Sequence, residues 1–256
     1  MDALLNYKKY GEEGRVMVIL HGLFGMLDNW NSFARHLASH CQVYIVDQRN
    51  HGRSFHSDEM SYSLMADDLK RFLLQNKLEE ITLMGHSMGG KVAMYFALTY
   101  QEFIRQLIVV DIAPKSYQPK HHTIFSALRS IDLTANPTRT DIAHQLSQKI
   151  HSPAIIQFLM KNLRRNRQMQ LAWKMNLKGI YEHYEEMNKW EIEGRVFEGE
   201  VLFIKGANSD YILDSDKEVI QKYFPHAEII TIEGAGHWVH AEKPKVLWDV
   251  ILRFVC

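Results

Sequence analysis

The chain has 256 residues, a length that suits one large domain and can bury a sizeable core. Its 30 Lys and Arg residues balance 30 Asp and Glu residues, so the total charge gives no indication of a nucleic-acid partner or an anionic membrane. With 46% hydrophobic residues, the chain is not intrinsically disordered. Cys41 and Cys256 are its only cysteines, which excludes a disulfide scaffold and a four-cysteine metal site.

The N-terminal sequence and the hydropathy pattern bear on location. Residues 1–9 lack the basic and then apolar layout of a secretory signal peptide. No apolar run approaches the roughly 18 residues that a membrane span needs. Two cysteines in 256 residues fit a reducing compartment. We therefore expect a cytoplasmic protein, a monomer or a homodimer, without a nucleic-acid or membrane partner.

Short apolar segments rich in β-branched residues alternate with longer amphipathic segments. This alternation is typical of a parallel sheet with helices on both faces. The predicted strands span residues 16–20, 43–46, 81–84, 107–110, 201–204 and 229–232. The predicted helices lie at about 30–40, 63–76, 89–101, 214–223 and 243–254.

The alternation stops between Asp111 and Val201. No strand-like run occurs there, whereas polar helix starts occur at Thr138 and at Ser152, which is followed by proline. Residues 112–194 contain 12 Lys or Arg and 7 Asp or Glu, a net charge of +5. The pattern predicts a core formed by residues 1–111 and 201–256, with a basic helical cap at 112–200.

A nucleophile motif follows the predicted strand at 81–84. Gly85-His86-Ser87-Met88-Gly89 is a G-x-S-x-G sequence between a strand and a helix. Small residues two positions before and after the serine let strand and helix pass closely, so that the hydroxyl stands clear of the backbone. We predict that Ser87 is a nucleophile and that the amide of Met88 helps to bind an oxyanion.

A serine nucleophile needs a base. The chain has 14 histidines, and His237 is distinguished by its loop, where Gly234 and Gly236 free the backbone to aim the ring. His240 is the competing candidate, with a surface or supporting role as the alternative. The sequence therefore predicts His237 as the general base.

Two aspartates are candidates for the acid that orients the histidine. Asp111 ends the strand next to the one that carries Ser87, and adjacent parallel strands lie about 4.8 Å apart. Asp210 follows the next strand along the chain. A loop carrying His237 can reach either carboxylate, and the aspartate that is not used is expected to cap a helix or anchor a loop.

The second oxyanion donor is expected on the glycine-flanked turn after the first predicted strand. There the backbone amide of Leu23 or of Phe24 is in position to approach the serine. Asp47 and Arg49, which follow the next strand, are predicted to form a buried structural pair. The candidates for the substrate pocket are Phe24, His86, Ser209 and Trp238.

With these segments placed, the chain resembles the α/β-hydrolase superfamily over nearly its full length and is most similar to the small bacterial YbfF-type esterases. The motifs that carry the resemblance are His21-Gly22-Leu23-Phe24-Gly25, Arg49-Asn50-His51-Gly52, Gly85-His86-Ser87-Met88-Gly89-Gly90-Lys91, Val110-Asp111-Ile112-Ala113-Pro114 and Gly236-His237-Trp238-Val239-His240 with the Ala241-Glu242-Lys243-Pro244 that follows. The fold that this implies is α/β: a mostly parallel twisted sheet flanked by helices, with the helical cap inserted after the family's sixth strand.

The resemblance also bears on the acid. Most superfamily members place it three residues after the glycine that closes the seventh strand, a position occupied here by Ser209. The YbfF-type group shares this serine, and the resemblance implies that Asp111 is the acid. Asp210 stands beside Ser209 and remains the alternative acid.

The implied activity is hydrolysis of carboxylic esters and of acyl-CoA thioesters through an acyl-serine intermediate, with no metal and no organic cofactor. Other serine-based activities of this fold remain alternatives, namely lactonase, carbon–carbon bond hydrolase and cofactor-free haloperoxidase activity. A module that binds a small molecule without turning it over is a further alternative. In the cap, a basic cluster is a candidate for docking coenzyme A phosphates, with a solvated helix face as the alternative. Its members are Lys161, Arg164, Arg165 and Arg167.

Overall fold

The computed structural model describes residues 4–255. Within them the strands are β1 (Tyr7–Tyr10), β2 (Arg15–Leu20), β3 (Cys41–Val46), β4 (Ile81–His86), β5 (Ile104–Val110), β6 (Leu163–Arg165), β7 (Leu171–Trp173), β8 (Glu200–Gly206) and β9 (Ala227–Ile232). The helices are α1 (Asn31–Leu37), α2 (Tyr62–Asn76), α3 (Met88–Thr99), α4 (His122–Arg129), α5 (Arg139–Ser147), α6 (Pro153–Met160), α7 (Leu177–Glu182), α8 (Tyr184–Met187), α9 (Lys217–Tyr223), α10 (Val239–Glu242) and α11 (Pro244–Val255).

One sheet organises the fold. Across residues 4–255 its strand order is β1-β3-β2-β4-β5-β8-β9, and every pairing is parallel except that of β1 with β3. Successive residues of the central strands belong to two different core clusters, Leu107 and Val109 to one and Ile108 and Val110 to the other. Because both faces are covered, the middle of these strands is apolar at consecutive positions, as at 107–110 in β5, and the sequence predicts this.

The two edges of the sheet differ from the prediction. β1, which the apolar pattern does not reveal, has the sequence Tyr-Lys-Lys-Tyr and is mostly exposed, since it pairs on one side only. β9 was predicted to be buried on both faces, yet most of its residues are exposed or half-buried, and Ile229 is 36% exposed. Its position at the other edge, beside β8 alone, explains this exposure.

The segment between β5 and β8, here called the insertion, contains α4 to α8 and a short antiparallel hairpin of β6 and β7. The strand before it, β5, is the fifth in residues 4–255, whereas the resemblance implies a cap after the sixth strand as the family numbers them. The expectation that this region has no strand is wrong, because three-residue strands are too short to show an alternating pattern. The insertion is tied to the sheet layer by Asn162, whose side-chain amide donates to the Phe24 carbonyl at 2.7 Å.

No helix formed by residues 4–255 combines the length and the apolar character needed to cross a membrane.

Asp47 and Arg49 are both buried, but the predicted pair between them is absent from the contacts of residues 4–255. Arg49 instead forms a bidentate salt bridge with Asp68 on α2, in which Nε lies 2.5 Å from Oδ2 and Nη2 lies 2.9 Å from Oδ1. Asp47 accepts hydrogen bonds from the backbone amides of Leu27 and Arg53. The spacing of the motif identified the buried charges, but their partners lie far away in the sequence.

Replacing Arg49 by Met leaves the buried carboxylate of Asp68 without its main partner, so we expect the free energy of unfolding to fall by about 3 kcal/mol. Arg71 also contacts Asp68, but its side chain is 50% exposed, and Arg71→Met is expected to cost less than about 1 kcal/mol. Urea denaturation of both variants measures the difference. Equal losses would contradict the assignment of Arg49 as the main partner.

Candidate active site

Ser87 stands on the turn between β4 and α3 with a φ of +55°, a conformation that few non-glycine residues adopt. The turn requires glycine on both sides of the serine. A Cβ at Gly85 would lie 2.1 Å from the carbonyl oxygen of Gly89, and one at Gly89 would lie 2.6 Å from that of Leu20. Close passage of strand and helix therefore fixes the serine at the carboxyl edge of the sheet, as the motif predicts.

His237 lies on the loop between β9 and α10, and both of its ring nitrogens have partners. Nε2 is 3.0 Å from the Ser87 hydroxyl and Nδ1 is 2.7 Å from Oδ2 of Asp111. Since a carboxylate accepts, the tautomer with hydrogen on Nδ1 fits, which leaves Nε2 to accept from the serine. Tyr211 stacks on the imidazole with ring centroids 3.9 Å apart, and His86 Nε2 donates to the His237 carbonyl at 2.8 Å.

Asp111 follows β5 and is fully buried. Its Oδ1 accepts from the backbone amide of Gly206 at 2.9 Å, and its Oδ2 accepts from the Ser209 hydroxyl as well as from His237. These donors come from β8, from the loop after it and from the loop after β9. The carboxylate therefore holds the histidine and both loops in one arrangement.

The other candidates for acid and base lie elsewhere. Asp210 forms an ion pair with Lys120, and its side chain is 68% exposed. The hydrogen bond from Lys120 lowers the pKa of Asp210. His240 stacks on Trp30 at 4.5 Å, and burial lowers its pKa to about 4. The structure thus brings Ser87, His237 and Asp111 together and leaves Asp210 and His240 out of that chain of hydrogen bonds.

The backbone around Leu23 approaches the serine. A Cβ at Gly22 would lie 3.2 Å from the Ser87 Cβ, and the turn is closed by a hydrogen bond from the Gly25 amide to the Gly22 carbonyl. Leu23 and Met88 line the same cavity as Ser87. Phe24, the alternative to Leu23, is buried, and its ring packs against Phe125 with centroids 4.9 Å apart. Leu23 therefore lies at the cavity beside the serine, whereas the side chain of Phe24 packs in the core.

A cavity of about 50 Å³ opens beside Ser87. Its lining includes Leu23, Met88 and Lys91 from the core and several residues that come from or adjoin the insertion. The latter are Tyr117, Gln118, Lys120, His121, Tyr184, Met187 and Asn188. Tyr62 and Tyr211 complete a set of four tyrosines around the cavity.

The four residues named from the sequence as pocket candidates lie outside this lining. Phe24 packs in the core, and His86 is buried and bonded to the loop of His237. Ser209 donates to Asp111, and Trp238 packs against Phe158 at 5.4 Å. Each of these four candidates stands next to a predicted site residue in the sequence. The tyrosines of the lining, in contrast, belong to no local sequence motif. Lys91 does have a local sequence signal, since it follows Ser87 by one helical turn.

Histidines are numerous here, but residues 4–255 contain no group of three His, Cys, Asp or Glu side chains placed to hold a metal ion. Burial lowers the pKa of His86 well below its ordinary value and that of His121 to about 4. Both rings are therefore neutral near pH 7. His237, by contrast, is partly exposed, at 23%, and contacts the serine.

The sequence matches the α/β hydrolase fold family over residues 15–244, and the chain belongs to this family. It is 38% identical over 258 residues to a putative esterase/lipase of Haemophilus influenzae, covering 99% of this chain and 88% of that protein. It is 35% identical to esterase YbfF of Escherichia coli, and the match covers 93% of this chain and 92% of that protein. A solved structure described as a marine microorganism esterase is 42% identical with a TM-score of 0.96, covering 99% of this chain and all of that one. The protein is an esterase/lipase-type α/β hydrolase.

The two candidate acids are separated by a matched pair of variants. Asp111→Asn presents an amide to the histidine and favours the wrong tautomer, so we expect kcat/KM for p-nitrophenyl butyrate to fall by about 10³-fold to 10⁴-fold. Asp210→Asn removes only an exposed ion pair and is expected to change the value by less than about threefold. A large loss in Asp210→Asn with a small one in Asp111→Asn would reverse the assignment.

Proposed function

We propose that this protein hydrolyses carboxylic esters through an acyl-serine intermediate, with Ser87 as nucleophile, His237 as general base and Asp111 as the orienting acid. The observation that carries the proposal is the continuous chain of two hydrogen bonds, 3.0 Å from Ser87 to His237 and 2.7 Å from His237 to Asp111. A serine hydroxyl is a weak nucleophile unless a base accepts its proton, and the contact between Ser87 and His237 supports this role for His237.

In the acylation step, Ser87 Oγ attacks the ester carbonyl carbon while its proton passes to Nε2 of His237. The imidazolium that forms is stabilised by the carboxylate of Asp111. The backbone amides of Met88 and Leu23 donate to the oxyanion of the tetrahedral intermediate. Since Met88 is the first residue of α3, the positive end of the helix dipole adds to this stabilisation.

The tetrahedral intermediate collapses when the ester bond breaks and the proton on His237 moves to the leaving alkoxide. A water molecule then attacks the acyl-serine carbonyl, and His237 takes its proton and returns it to Ser87 Oγ. The products are a carboxylic acid and an alcohol. We further infer that residues 112–200 act as a cap over the core of residues 1–111 and 201–256, since residues of the insertion line the cavity beside Ser87.

Ser87→Ala removes the nucleophile, and we expect kcat/KM for p-nitrophenyl butyrate to fall by about 10⁴-fold or more. Labelling by a fluorophosphonate is expected to be lost in the same variant, because the reagent reacts with an activated serine. A circular dichroism spectrum like that of the wild type serves as the folding control. Ordinary turnover by Ser87→Ala would refute the mechanism, and failure of the wild type to be labelled would favour a binding module without turnover.

We also propose that acyl-CoA thioesters are substrates, on the basis of the basic segment formed by Lys161, Arg164, Arg165 and Arg167. All four residues are exposed, and none forms an ion pair with a carboxylate of residues 4–255. The segment starts at the end of α6, where Phe158 packs on Trp238, the residue next to His237. Unpaired cations near the site offer partners for the phosphates of coenzyme A.

The acyl-CoA proposal predicts a difference in salt dependence. Raising the ionic strength is expected to lower kcat/KM for butyryl-CoA several-fold more than for neutral p-nitrophenyl butyrate, because salt screens exposed charge pairs. The double variant Arg164→Gln/Arg167→Gln is expected to reduce the salt dependence for butyryl-CoA. Lys178→Gln, an exposed residue of α7 paired with Glu182, is the control. Equal salt response of both substrates in the wild type would remove the docking role.

A further inference from the structure

Lys91 is a buried cation in the cavity that contains Ser87. It lies on α3 one helical turn beyond the serine, is 2% exposed and belongs to the cavity lining. Its Nζ donates to the backbone carbonyls of Asn188 and Lys189, at 3.1 Å each. The rings of Tyr62 and Tyr117 lie beside it, with their centroids 5.5 and 5.1 Å from Nζ.

The charge of Lys91 has no anionic partner among residues 4–255: no carboxylate there lies within ion-pair distance of Nζ. An ammonium group has three N–H donors, and the two carbonyls use two of them. Burial lowers the pKa of Lys91 to about 7. The remaining donor and the charge are thus unmatched within the described chain.

The neighbouring tyrosines do not supply a negative charge. The Tyr62 hydroxyl donates to the carbonyl of Met187 at 2.5 Å, and the Tyr117 hydroxyl donates to the carbonyl of Tyr211 at 2.6 Å. Burial raises the pKa of both phenols, so they remain neutral. An apolar side chain of similar length would fill the space of Lys91 without the cost of burying an unpaired charge. A cation here is explained if the substrate brings the anion.

We propose that the acyl part of the substrate ends in a carboxylate that binds Lys91, so that the preferred esters are half esters of short dicarboxylic acids. The inference rests on the proposed serine mechanism and adds the chemistry of its substrate. The size of the cavity limits the acyl chain: about 50 Å³ holds only about three to five water-sized groups. The Ser87 hydroxyl and the Lys91 ammonium then contact opposite ends of one small acyl group.

The test compares each half ester with a neutral analogue of the same size. Monomethyl malonate, succinate and glutarate are paired with the corresponding methyl ester amides, in which –CONH₂ replaces the carboxylate. For at least one chain length we expect kcat/KM for the half ester to exceed that for the amide by about tenfold or more, because charge-assisted hydrogen bonds are the stronger ones. Lys91→Met is expected to reduce this ratio about tenfold, while Lys178→Met preserves it.

The pH dependence of the same ratio in the wild type needs no variant. The ratio is expected to fall between about pH 6 and about pH 8, as the free enzyme loses the Lys91 proton. His237 serves the reaction of both esters alike, so its contribution cancels in the ratio. The other titratable groups around Lys91 and its cavity stay neutral over this pH range, because burial raises the pKa of each tyrosine and lowers the pKa of His121. They are Tyr62 from α2, Tyr117, His121 and Tyr184 from the insertion, and Tyr211. Lys120 stays paired with Asp210 at the exposed end.

Three results would overturn the inference. The first two concern the wild type: a ratio of half-ester to amide kcat/KM near one at all three acyl lengths, or a ratio that does not change with pH. The third is a Lys91→Met variant that keeps the ratio while losing activity on both esters. The last result would mark Lys91 as a purely structural tie to the end of α8. Neutral ester hydrolysis by the wild type, absent in Ser87→Ala, shows that the proposed function stands when the inference fails. A wild type that hydrolyses no ester would contradict the proposed function itself.

Discussion

The close passage of β4 and α3 is the constraint on which the site depends. Gly85 and Gly89 leave no room for side chains between strand and helix, and the backbone between them turns so sharply that Ser87 adopts a positive φ. A backbone in this region is strained for serine and persists only because the packed sheet and helix hold it. The result is a hydroxyl that stands at the sheet edge and faces the loops that follow the neighbouring strands.

The order of the strands then determines which residues meet there. β4 lies beside β5, β5 beside β8 and β8 beside β9, all parallel, so the segments after these four strands end at one edge. Asp111 bonds to the Gly206 amide, to the Ser209 hydroxyl and to His237, and so links the last three segments. Because the carboxylate follows β5, the position after β8 holds a donor to it rather than a second acid, and this donor is Ser209.

How far the sequence predicted this arrangement depends on the range of each interaction. Ser87 and the loop of His237 were found because their glycines and flanking segments are local signals. The central strands were found because both of their faces are buried. The partner of Arg49 is Asp68, nineteen residues away on another element, and no local pattern indicates it. The hairpin of β6 and β7 is too short for periodicity, and the tyrosines of the cavity come together only through the packing of the insertion on the core.

The electrostatics of the cavity follow from what burial does to each titratable group. Burial keeps His86, His121 and His240 neutral, so they add no positive charge beside His237 at the step in which, by the proposed mechanism, it takes the serine proton. The imidazolium therefore faces one carboxylate, Asp111, without competing cations on neighbouring rings. Positive charge is concentrated on α3 instead, as a partial charge at its N-terminus and as the ammonium of Lys91 one turn further on. The helix that begins directly after Ser87 therefore carries the positive charge of the cavity. By the proposals made above, this arrangement favours an acyl group that develops an oxyanion at one end and bears a carboxylate at the other.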